Sequence, residues 1–259
     1  MTAADAAVHA AAVIRLDSVD STNAEARRHI AGGANAVWVV AGRQTQGRGR
    51  RARAWVSEPG NLYTSLRFRP DCPPGRLGEY AFVSALALHD AIGCVCPAAG
   101  THIALKWPND LIAPEGKLSG ILLESESGTA GSPPLLIIGW GVNCRHHPDG
   151  GSYPAADLAS LGFDVPPERL FEALRDTFLH YDQMLRNHGM AMIRHAWLAR
   201  ARGVGKPVTV RLENQTLEGI FRDLDADGRL ILELPDGERM KISTGDIFFP
   251  NIAGEENHV

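Results

Sequence analysis

The spacing of apolar residues along the chain changes near Gly203 and Gly205. Before these glycines, short apolar runs typical of strands alternate with stretches in which apolar residues recur every three or four positions, as in helices. After Lys206 the period is two, and the Asp-Gly pairs at 227–228 and 236–237 are hairpin signals. The pattern predicts a larger part of strands and helices over residues 13–203 and a small barrel-like module over 204–252. The ends, 1–12 and 253–259, are predicted to be a flexible lead-in and a frayed tail.

Within the larger part, the pattern predicts six strands and four helices. The strands are at residues 13–16, 36–42, 61–68, 102–107, 117–124 and 135–142. The helices are at 24–30, 76–92, 166–187 and 190–202. Ser21 or Thr22 is a candidate N-cap of the first helix, with Glu25 as its capping-box partner. Segments 125–134 and 146–164 are predicted to be irregular.

Composition limits the class of protein. The 259 residues are 44% hydrophobic and 22% charged, which is ordinary for a soluble globular protein, and the formal net charge is −4. The longest apolar runs, such as residues 133–138, are too short to span a bilayer, and no Lys or Arg precedes an apolar core at the N-terminus. The four cysteines form no Cys-x-x-Cys pair, which favours idle thiols over a metal site. We expect a cytoplasmic protein that does not bind membranes.

The most unusual segment is residues 42–55 (GRQTQGRGRRARAW), which we call the arginine loop. It holds five arginines and no acidic residue, and Gly47 and Gly49 permit tight turns and close approach to a ligand. Because its like charges repel, this pattern predicts a loop that orders around a phosphate or carboxylate. A ligand-free basic surface loop and a nucleic-acid patch are alternatives, and the acidic net charge disfavours the second. The segment also fits the dinucleotide-binding pattern G-x-G-x-x-G/A, but residues 55–60 have turn composition where that motif requires a helix.

In the larger part, polar residues follow two apolar strands, and a glycine interrupts a third. In the segment at 106–110 (KWPND), Asn109 and Asp110 offer oxygens suited to Mg²⁺, or alternatively form a turn that closes a hairpin. Gly120 lies within a strand, where glycine often marks the close approach of a ligand or of backbone. Asn143 follows the segment at 139–142, in which Trp140 is equally compatible with core packing. These positions predict a binding site at the ends of the strands.

Together these motifs resemble those of the biotin protein ligases. The matching segments are residues 21–23, 42–55, 61–63, 106–110, 117–124 and 139–143. The resemblance is strong over about residues 13–145 and weaker through the C-terminal module. Ala52 and Trp140 depart from the family pattern, which usually has Gly at the first position and a smaller residue at the second. We expect activity to survive both changes, because neither removes a charged group.

The resemblance implies a role for each matching residue. It implies that Ser21, Thr22, Asn23 and Gln44 bind the biotin head group, and that Gly47, Arg48, Gly49 and Arg50 wrap biotin and its adenylate. Arg50 and Arg53 would lie near phosphate, Trp55 would pack against adenine, and Gly120 would clear space for the biotin tail. Lys117 would bridge the biotin carboxylate and the α-phosphate and would be the main catalytic residue, together with Arg50. Asn109 and Asn143 would bind ATP, and Asp110 would bind the metal.

The resemblance also implies a fold and a reaction. The fold is α+β, with a mixed-sheet catalytic domain flanked by helices and related to class II aminoacyl-tRNA synthetases, followed by an SH3-like β-barrel. ATP and Mg²⁺ would activate biotin, and the acceptor would be a lysine of a biotin carboxyl carrier protein. The resemblance also allows a homodimer. Because only about a dozen residues precede the first predicted strand, we expect no DNA-binding helix-turn-helix and no binding to nucleic acid. A lipoate or octanoate ligase or transferase and a non-catalytic biotin or nucleotide sensor are the alternatives.

Overall fold

A seven-stranded mixed sheet forms the centre of the larger part. The computed structural model describes residue 8 and residues 10–29, 36–126, 134–149 and 154–250. The strands are β1 (Ala12–Leu16), β2 (Ala36–Ala41), β3 (Leu62–Phe68), β4 (Ala104–Lys106), β5 (Asp110–Ala113), β6 (Gly116–Glu126) and β7 (Leu135–Val142). Their order is β1-β2-β3-β7-β6-β5-β4, with β1 parallel to β2 and every other pair antiparallel.

Helices cover both faces of this sheet unequally. They are α1 (Thr22–Arg28), α2 (Tyr80–Val95), α3 (Pro97–His102), α4 (Pro167–His188) and α5 (Met190–Leu198). On one face, Trp38 of β2 and Trp140 of β7 stack at a centroid distance of 5.5 Å and meet Phe171 and Phe178 of α4 edge to face. Burying each of these rings contributes about 2–3 kcal/mol. Trp140 is therefore a core residue, and its Nε1 donates to the Ser84 carbonyl at 3.2 Å.

The opposite face of the sheet is only partly covered. Ala26 of α1 packs there against Val39 of β2 and Ile137 of β7. Residues two apart on a strand share a face, so Gly139 and Gly141 point to the same side as Ile137. Without side chains at these two positions, the sheet presents a shallow floor beside α1.

The C-terminal part is a five-stranded antiparallel sheet. Its strands are β8 (Pro207–Arg211), β9 (Thr216–Leu224), β10 (Leu230–Glu233), β11 (Arg239–Ile242) and β12 (Asp246–Phe248), in the order β11-β10-β9-β8-β12. Gly228 and Gly237 have positive φ angles of 80° and 88°, so both Asp-Gly pairs form turns as predicted. The α+β class with a mixed sheet and a C-terminal β domain is confirmed, whereas the SH3-like designation and the domain boundaries stay predictions.

Polar and apolar contacts attach the C-terminal sheet to the larger part. The Trp107 Nε1 donates to the carbonyl of Gly228 at 3.0 Å, and Arg194 of α5 pairs with Asp223 of β9 at 2.9 Å. Gly228 also lies against Phe82 of α2, since a Cβ at this glycine would come within 2.5 Å of that ring. The two parts are thus joined by buried as well as charged contacts.

Several sequence predictions differ from the structure. Helix α2 begins at Tyr80, because Pro74–Glu79 is a 3-10 helix, and α5 ends at Leu198. The strand predicted from residue 102 begins at Ala104, since α3 precedes it with Pro97 at its first turn. Strands β5 and β12 were not predicted, and both are too short to show a period.

The predicted capping box of the first helix is wrong. Ser21 is the N-cap residue, but its side chain forms no capping hydrogen bond. The Glu25 carboxylate instead accepts from Arg28 at 2.6 Å and contacts His29 at 3.0 Å, so it faces along the helix rather than back to Ser21. The predicted tail at 253–259, most of the lead-in and the centre of the loop at 125–134 lie outside the described residues.

Candidate functional site

A cavity of about 320 Å³ lies between the glycine floor of the sheet, the arginine loop and the C-terminal sheet. Such a volume suits a small molecule. Its wall brings together most of the residues that the sequence predicted. These are Ser21, Thr22, Asn23, Gln44, Arg48, Gly49, Arg50, Arg53, Trp55, Asp110, Lys117 and Gly120. Strand β12 and the preceding turn add Thr244, Asp246 and Phe248, which the sequence did not predict.

The cavity wall carries a strong excess of positive charge. Its cationic side chains are Arg48, Arg50, Arg51, Arg53, Lys106, Lys117 and Arg211, and its acidic ones are Asp110 and Asp246. Like charges held this close repel one another, and the repulsion is strongest where the wall is shielded from water. An anionic ligand with several charges offsets that repulsion, so the wall favours a polyphosphate or a phosphate ester.

Uncharged polar groups form the end of the cavity at α1. The Gln44 Oε1 accepts from the Thr22 backbone N–H at 2.9 Å and from the Thr22 hydroxyl at 3.1 Å. The Ser65 Oγ lies 2.8 Å from the Thr22 Oγ1 and 2.6 Å from the Asn23 Oδ1. The Asn23 Nδ2 donates to the Glu124 carboxylate at 2.8 Å. Ser65 was missed by the sequence analysis, because a lone Ser in a strand gives no signal, and Glu124 ends the matching segment 117–124 without an assigned role.

The arginine loop is braced by its own backbone. The Trp55 N–H donates to the Gly47 carbonyl at 2.9 Å, and the Gly49 N–H donates to the Arg53 carbonyl at 2.8 Å. A Cβ at Gly47 would lie 2.5 Å from the Trp55 carbonyl oxygen, so the brace requires glycine there. Arg51 adopts a positive φ of 55°, which is strained for a residue with a side chain.

Three arginines of the loop converge on one carboxylate of the C-terminal sheet. The Asp246 oxygens lie 3.3 Å from the Arg50 Nη2, 3.5 Å from the Arg51 Nη1 and 3.1 Å from the Arg53 Nη2. The Asp246 side chain is 19% exposed, so water screens these pairs only in part. A single carboxylate offsets one of three positive charges, and the loop keeps a net positive charge toward the cavity.

Trp55 lies flat over the glycine floor. A Cβ at Gly120 would come within 3.1 Å of its ring, and a Cβ at Gly141 would come within 2.5 Å of its Nε1. The Lys117 Nζ lies 5.7 Å from the ring centroid, a distance typical of cation–π contacts. Gly120 thus makes room for Trp55 in this structure. The Trp55 Nε1 is buried and has no hydrogen-bond partner among the described residues.

Lys117 and Asp110 form a pair at the centre of the cavity. The Lys117 Nζ donates to the Asp110 Oδ2 at 2.7 Å, and the two residues lie on the adjacent strands β6 and β5. Burial acts to raise the pKa of the Asp110 carboxyl, but the nearby charges of Lys117 and Arg50 outweigh burial and hold that pKa below its usual value. Asp110 is therefore ionised at neutral pH, and Lys117 already has a partner.

Three predicted site residues lie outside the cavity wall. The Asn109 Nδ2 donates to the Ile121 carbonyl at 2.6 Å. The Asn143 Nδ2 donates to the Ala156 carbonyl at 3.0 Å and the Lys117 carbonyl at 3.4 Å. The Gly47 carbonyl accepts the backbone hydrogen bond from Trp55 that closes the arginine loop. In this structure all three support the backbone that carries the wall, and their predicted ligand contacts stay predictions.

Two protein-family models and a known ligase match this chain. Residues 13–143 match the model of the biotin/lipoate A/B protein ligase family, and residues 203–249 match the biotin protein ligase C-terminal domain. The chain is 40% identical over 241 residues to a biotin–[acetyl-CoA-carboxylase] ligase of Paracoccus denitrificans, covering 90% of this chain and 99% of that protein.

Two solved structures resemble the fold over nearly its whole length. One is a biotin protein ligase from Aquifex aeolicus in complex with biotin and ATP, with a TM-score of 0.76 and 25% identity over 91% of this chain and 97% of that one. The other is a biotin protein ligase from Leishmania major in complex with biotinyl-5-AMP, with a TM-score of 0.63 and 25% identity over 90% and 98%.

Proposed function

Since the chain belongs to the biotin/lipoate A/B protein ligase family, we propose that its cavity activates biotin with ATP and passes the biotinyl group to a protein lysine. The enzyme is a biotin–[acetyl-CoA-carboxylase] ligase. The observation that carries this function is a cavity wall with neutral hydrogen-bonding groups at α1 and an excess of cationic side chains elsewhere. The first suits an uncharged head group, and the second suits a carboxylate beside a triphosphate.

The reaction has two group transfers. A biotin carboxylate oxygen attacks the α-phosphorus of ATP, the bond from that phosphorus to the bridging oxygen breaks, and pyrophosphate leaves. A lysine ε-amine then attacks the carbonyl carbon of biotinyl-5′-adenylate, loses a proton, and displaces AMP as an amide forms. Both steps build negative charge on the α-phosphoryl group.

Different residues of the cavity wall are assigned to different parts of the substrates. We assign Lys117 to both the biotin carboxylate and the α-phosphate, and Arg50 and Arg53 to the phosphates; all three side chains line the cavity. Fixed cations in a shielded site stabilise developing charge without reorganising, at roughly 3 kcal/mol for a well-placed donor. Trp55 offers a flat surface for adenine, and Ser21, Thr22, Asn23 and Gln44 bind the head group of biotin.

Asp110 fits a Mg²⁺ ion only together with the substrate. Among the described residues, no group of three His, Cys, Asp or Glu side chains is positioned to bind a metal. Mg²⁺ is commonly bound by one or two carboxylates plus substrate phosphates, and Asp110 is ionised and faces the cavity. A bound Mg²⁺ would offset phosphate charge and orient the leaving pyrophosphate, and Asp110 would hold it.

Location, acceptor protein and domain organisation complete the proposed function. No helix in the described part of the chain is long and apolar enough to cross a membrane. We propose a cytoplasmic enzyme whose acceptor is a biotin carboxyl carrier protein, with residues 13–203 as the catalytic domain and 204–252 as an SH3-like domain. A homodimer stays a prediction.

Biotin-dependent exchange of labelled pyrophosphate into ATP tests the function. We expect exchange with biotin and at least 100-fold less with lipoate or octanoate. A preference for lipoate would identify a lipoate ligase on the same fold. Tight biotin binding without any exchange would identify a sensor.

A further inference from the structure

The segment at residues 154–158 pairs with the backbone of Lys117. Ala155 forms a parallel bridge with Lys117. The Lys117 N–H donates to the Pro154 carbonyl at 2.8 Å, and the Lys117 carbonyl accepts from the Ala156 N–H at 3.1 Å. Strand β7 pairs with β6 only beyond this point, so the segment takes the place of β7 next to Lys117. Both backbone hydrogen-bonding groups of the proposed catalytic lysine are therefore engaged by the 154–158 segment.

The same segment passes over Gly116 and holds Asn143. A Cβ at Gly116 would come within 2.6 Å of a carbonyl oxygen of the segment, so the glycine permits this close approach. The Asn143 Nδ2 donates to the Ala156 carbonyl at 3.0 Å, and the Asn143 carbonyl accepts from the Leu158 N–H at 3.0 Å. Lys117 and Asn143 thus share one support.

The buried carboxylate of Asp157 is the side chain that fixes this segment. Its Oδ1 accepts from the Ser160 N–H at 2.7 Å, and its Oδ2 lies 2.5 Å from the His147 Nδ1. Burial acts to raise the pKa of Asp157, but the Ser160 N–H and His147 outweigh burial and hold that pKa below its usual value. The ionised carboxylate can only accept, so the His147 Nδ1 carries the proton and donates it.

His147 connects the chain that leaves β7 to the far side of the segment. Asp157 lies between the two residues whose N–H groups donate to Lys117 and Asn143. Without His147, the buried carboxylate would keep the Ser160 N–H as its remaining printed donor and would gain by turning toward water. Such a turn moves the 154–158 segment and the backbone that is hydrogen-bonded to it.

We propose that His147 and Asp157 are positioning residues that hold the backbone of Lys117, and through it the ammonium group, in place beside the reacting centre. Neither side chain lines the cavity, so both act through the residue that does. A misplacement of about 1 Å at a reacting group costs up to about 100-fold in rate. This inference rests on the proposed function and adds the residues that position its main cation.

Amide hydrogen exchange of the ligand-free protein tests the structural half of the proposal. In His147→Ala we expect the Lys117 amide, which donates to the Pro154 carbonyl, to exchange roughly tenfold faster than in wild type, because the 154–158 segment opens more often. The amides of β3 should keep their wild-type rates. This measurement needs neither biotin nor ATP.

Single-turnover formation of labelled adenylate tests the catalytic half. We expect His147→Ala to lower the rate constant by about tenfold. His147→Asn should recover most of the rate, because its Nδ2 N–H lies close to the position of the imidazole Nδ1. Asp164→Asn is the matched control and should behave as wild type. It removes an exposed ion pair, with Arg145, between the same two stretches of chain.

A double-mutant cycle shows whether His147 acts through Lys117. Combined with Lys117→Ala, His147→Ala should slow adenylate formation by less than about twofold further, because the positioned group is gone. Equal slowing with and without Lys117 would overturn the proposal, as would an unchanged exchange rate of the Lys117 amide or a His147→Asn variant as slow as His147→Ala.

Two outcomes are separated by design. If His147→Ala does not fold, His147→Gln takes its place, since its amide nitrogen lies nearer the position of the imidazole Nε2 and away from Asp157; the same results are expected and the same results overturn the proposal. Wild-type protein that forms no adenylate would contradict the proposed function, whereas the exchange rate of the Lys117 amide would still decide whether His147 holds the Lys117 backbone.

Discussion

At the scale of single residues, we propose that the chemistry depends most on Lys117. Its ammonium group lies at the centre of the cavity, 2.7 Å from Asp110 and over the ring of Trp55. Of the cations in the wall, it is the one that the resemblance places between the two reacting groups. Loss of Lys117 would remove a charge from the proposed reacting centre and leave Asp110 with Arg50 as a more distant partner.

We expect Lys117→Ala to slow adenylate formation by at least about 100-fold. The fold should persist with a loss of about 1–3 kcal/mol in unfolding free energy, because the Asp110 carboxylate becomes less well paired. Single-turnover formation of labelled adenylate and urea unfolding measure the two effects. Lys117→Arg is the matched control and should retain more activity, because it keeps the charge. Near-normal turnover in Lys117→Ala would remove Lys117 from the mechanism.

A substitution at Gly141 tests whether the position of the Trp55 ring affects nucleotide binding. A methyl group at this position would lie 2.5 Å from the Trp55 Nε1 and must displace the indole. We expect Gly141→Ala to raise the KM for ATP by about tenfold while the melting temperature changes little, since Trp55 belongs to the loop and not to the core. Gly75→Ala meets nothing within 4 Å and should behave as wild type. An unchanged KM for ATP in Gly141→Ala would argue against contact between Trp55 and adenine.

The sequence predicted the residues of the wall better than the residues behind it. Ser21, Gln44 and Lys117 belong to local motifs whose unusual composition is visible in the chain. Ser65 and Asp246 act through partners 43 and 196 positions away, so no window of sequence connects them. Local sequence patterns therefore predict the residues that line a site. The contacts that support those residues become visible only in the folded structure.

At the scale of elements, β12 anchors the arginine loop. Asp246 is the carboxylate toward which Arg50, Arg51 and Arg53 converge, although each pair is longer than 3 Å and at least partly exposed to solvent. Pairs of this kind contribute up to about 1 kcal/mol each. Because they act together, their sum is enough to bias the position of a loop without fixing it.

We expect Asp246→Asn to increase trypsin cleavage within the arginine loop by several-fold in the absence of ligands, because trypsin cuts after arginine in mobile segments. Biotin with ATP should restore protection, since the adenylate then offsets the charge that Asp246 provided. Glu218→Gln, an exposed acid on β9, is the control for charge alone. Equal cleavage rates in Asp246→Asn and wild type would show that β12 does not hold the loop.

Asp90 connects three helical elements and gives stability a dependence on pH. Its carboxylate accepts from Tyr181 of α4 at 2.5 Å and from Arg200, which follows α5, at 2.9 Å and 3.0 Å. Burial acts to raise the pKa of Asp90, but these partners and His89 outweigh it and hold the pKa well below its ordinary value. The ionised form is thus favoured by folding, so its contribution is present above the unfolded pKa near 4 and is lost as the pH falls further.

Urea unfolding of wild type and Asp90→Asn at pH 7 and pH 3 tests this account. The variant should be less stable at pH 7 by on the order of 2 kcal/mol, since the partners lose a charged acceptor. The difference in unfolding free energy should narrow at pH 3, where the wild-type protein has lost part of the stabilisation that ionised Asp90 provides. A gap of the same size at both values would exclude Asp90 as the source of the dependence.

The longer elements were predicted well and the short ones were not. Strands β3 and β7 and helix α4 have enough residues to display a period, and the structure places them within one or two residues of the prediction. Strand β12 has three residues, and its strand conformation depends on pairing with β8. Elements of this length form because of tertiary contacts, which a sequence window does not contain.

At the scale of the whole molecule, the cavity depends on both parts of the chain. Its floor comes from β6 and β7, its neutral end from α1, and its outer rim from β12 and the arginine loop. The strand order β1-β2-β3-β7-β6-β5-β4 brings residues 21–23 beside residue 139 and could not be obtained from periodicity. The resemblance to biotin protein ligases predicted a mixed sheet but not this strand order.

We propose that this cavity joins biotin to AMP. The most direct test is to incubate the wild-type enzyme with biotin and Mg-ATP without an acceptor protein and to analyse the bound small molecules by mass spectrometry. We expect biotinyl-5′-adenylate and an equal amount of pyrophosphate, approaching one adenylate for each chain. Recovery of unchanged biotin and ATP, or of ADP and phosphate, would contradict the account.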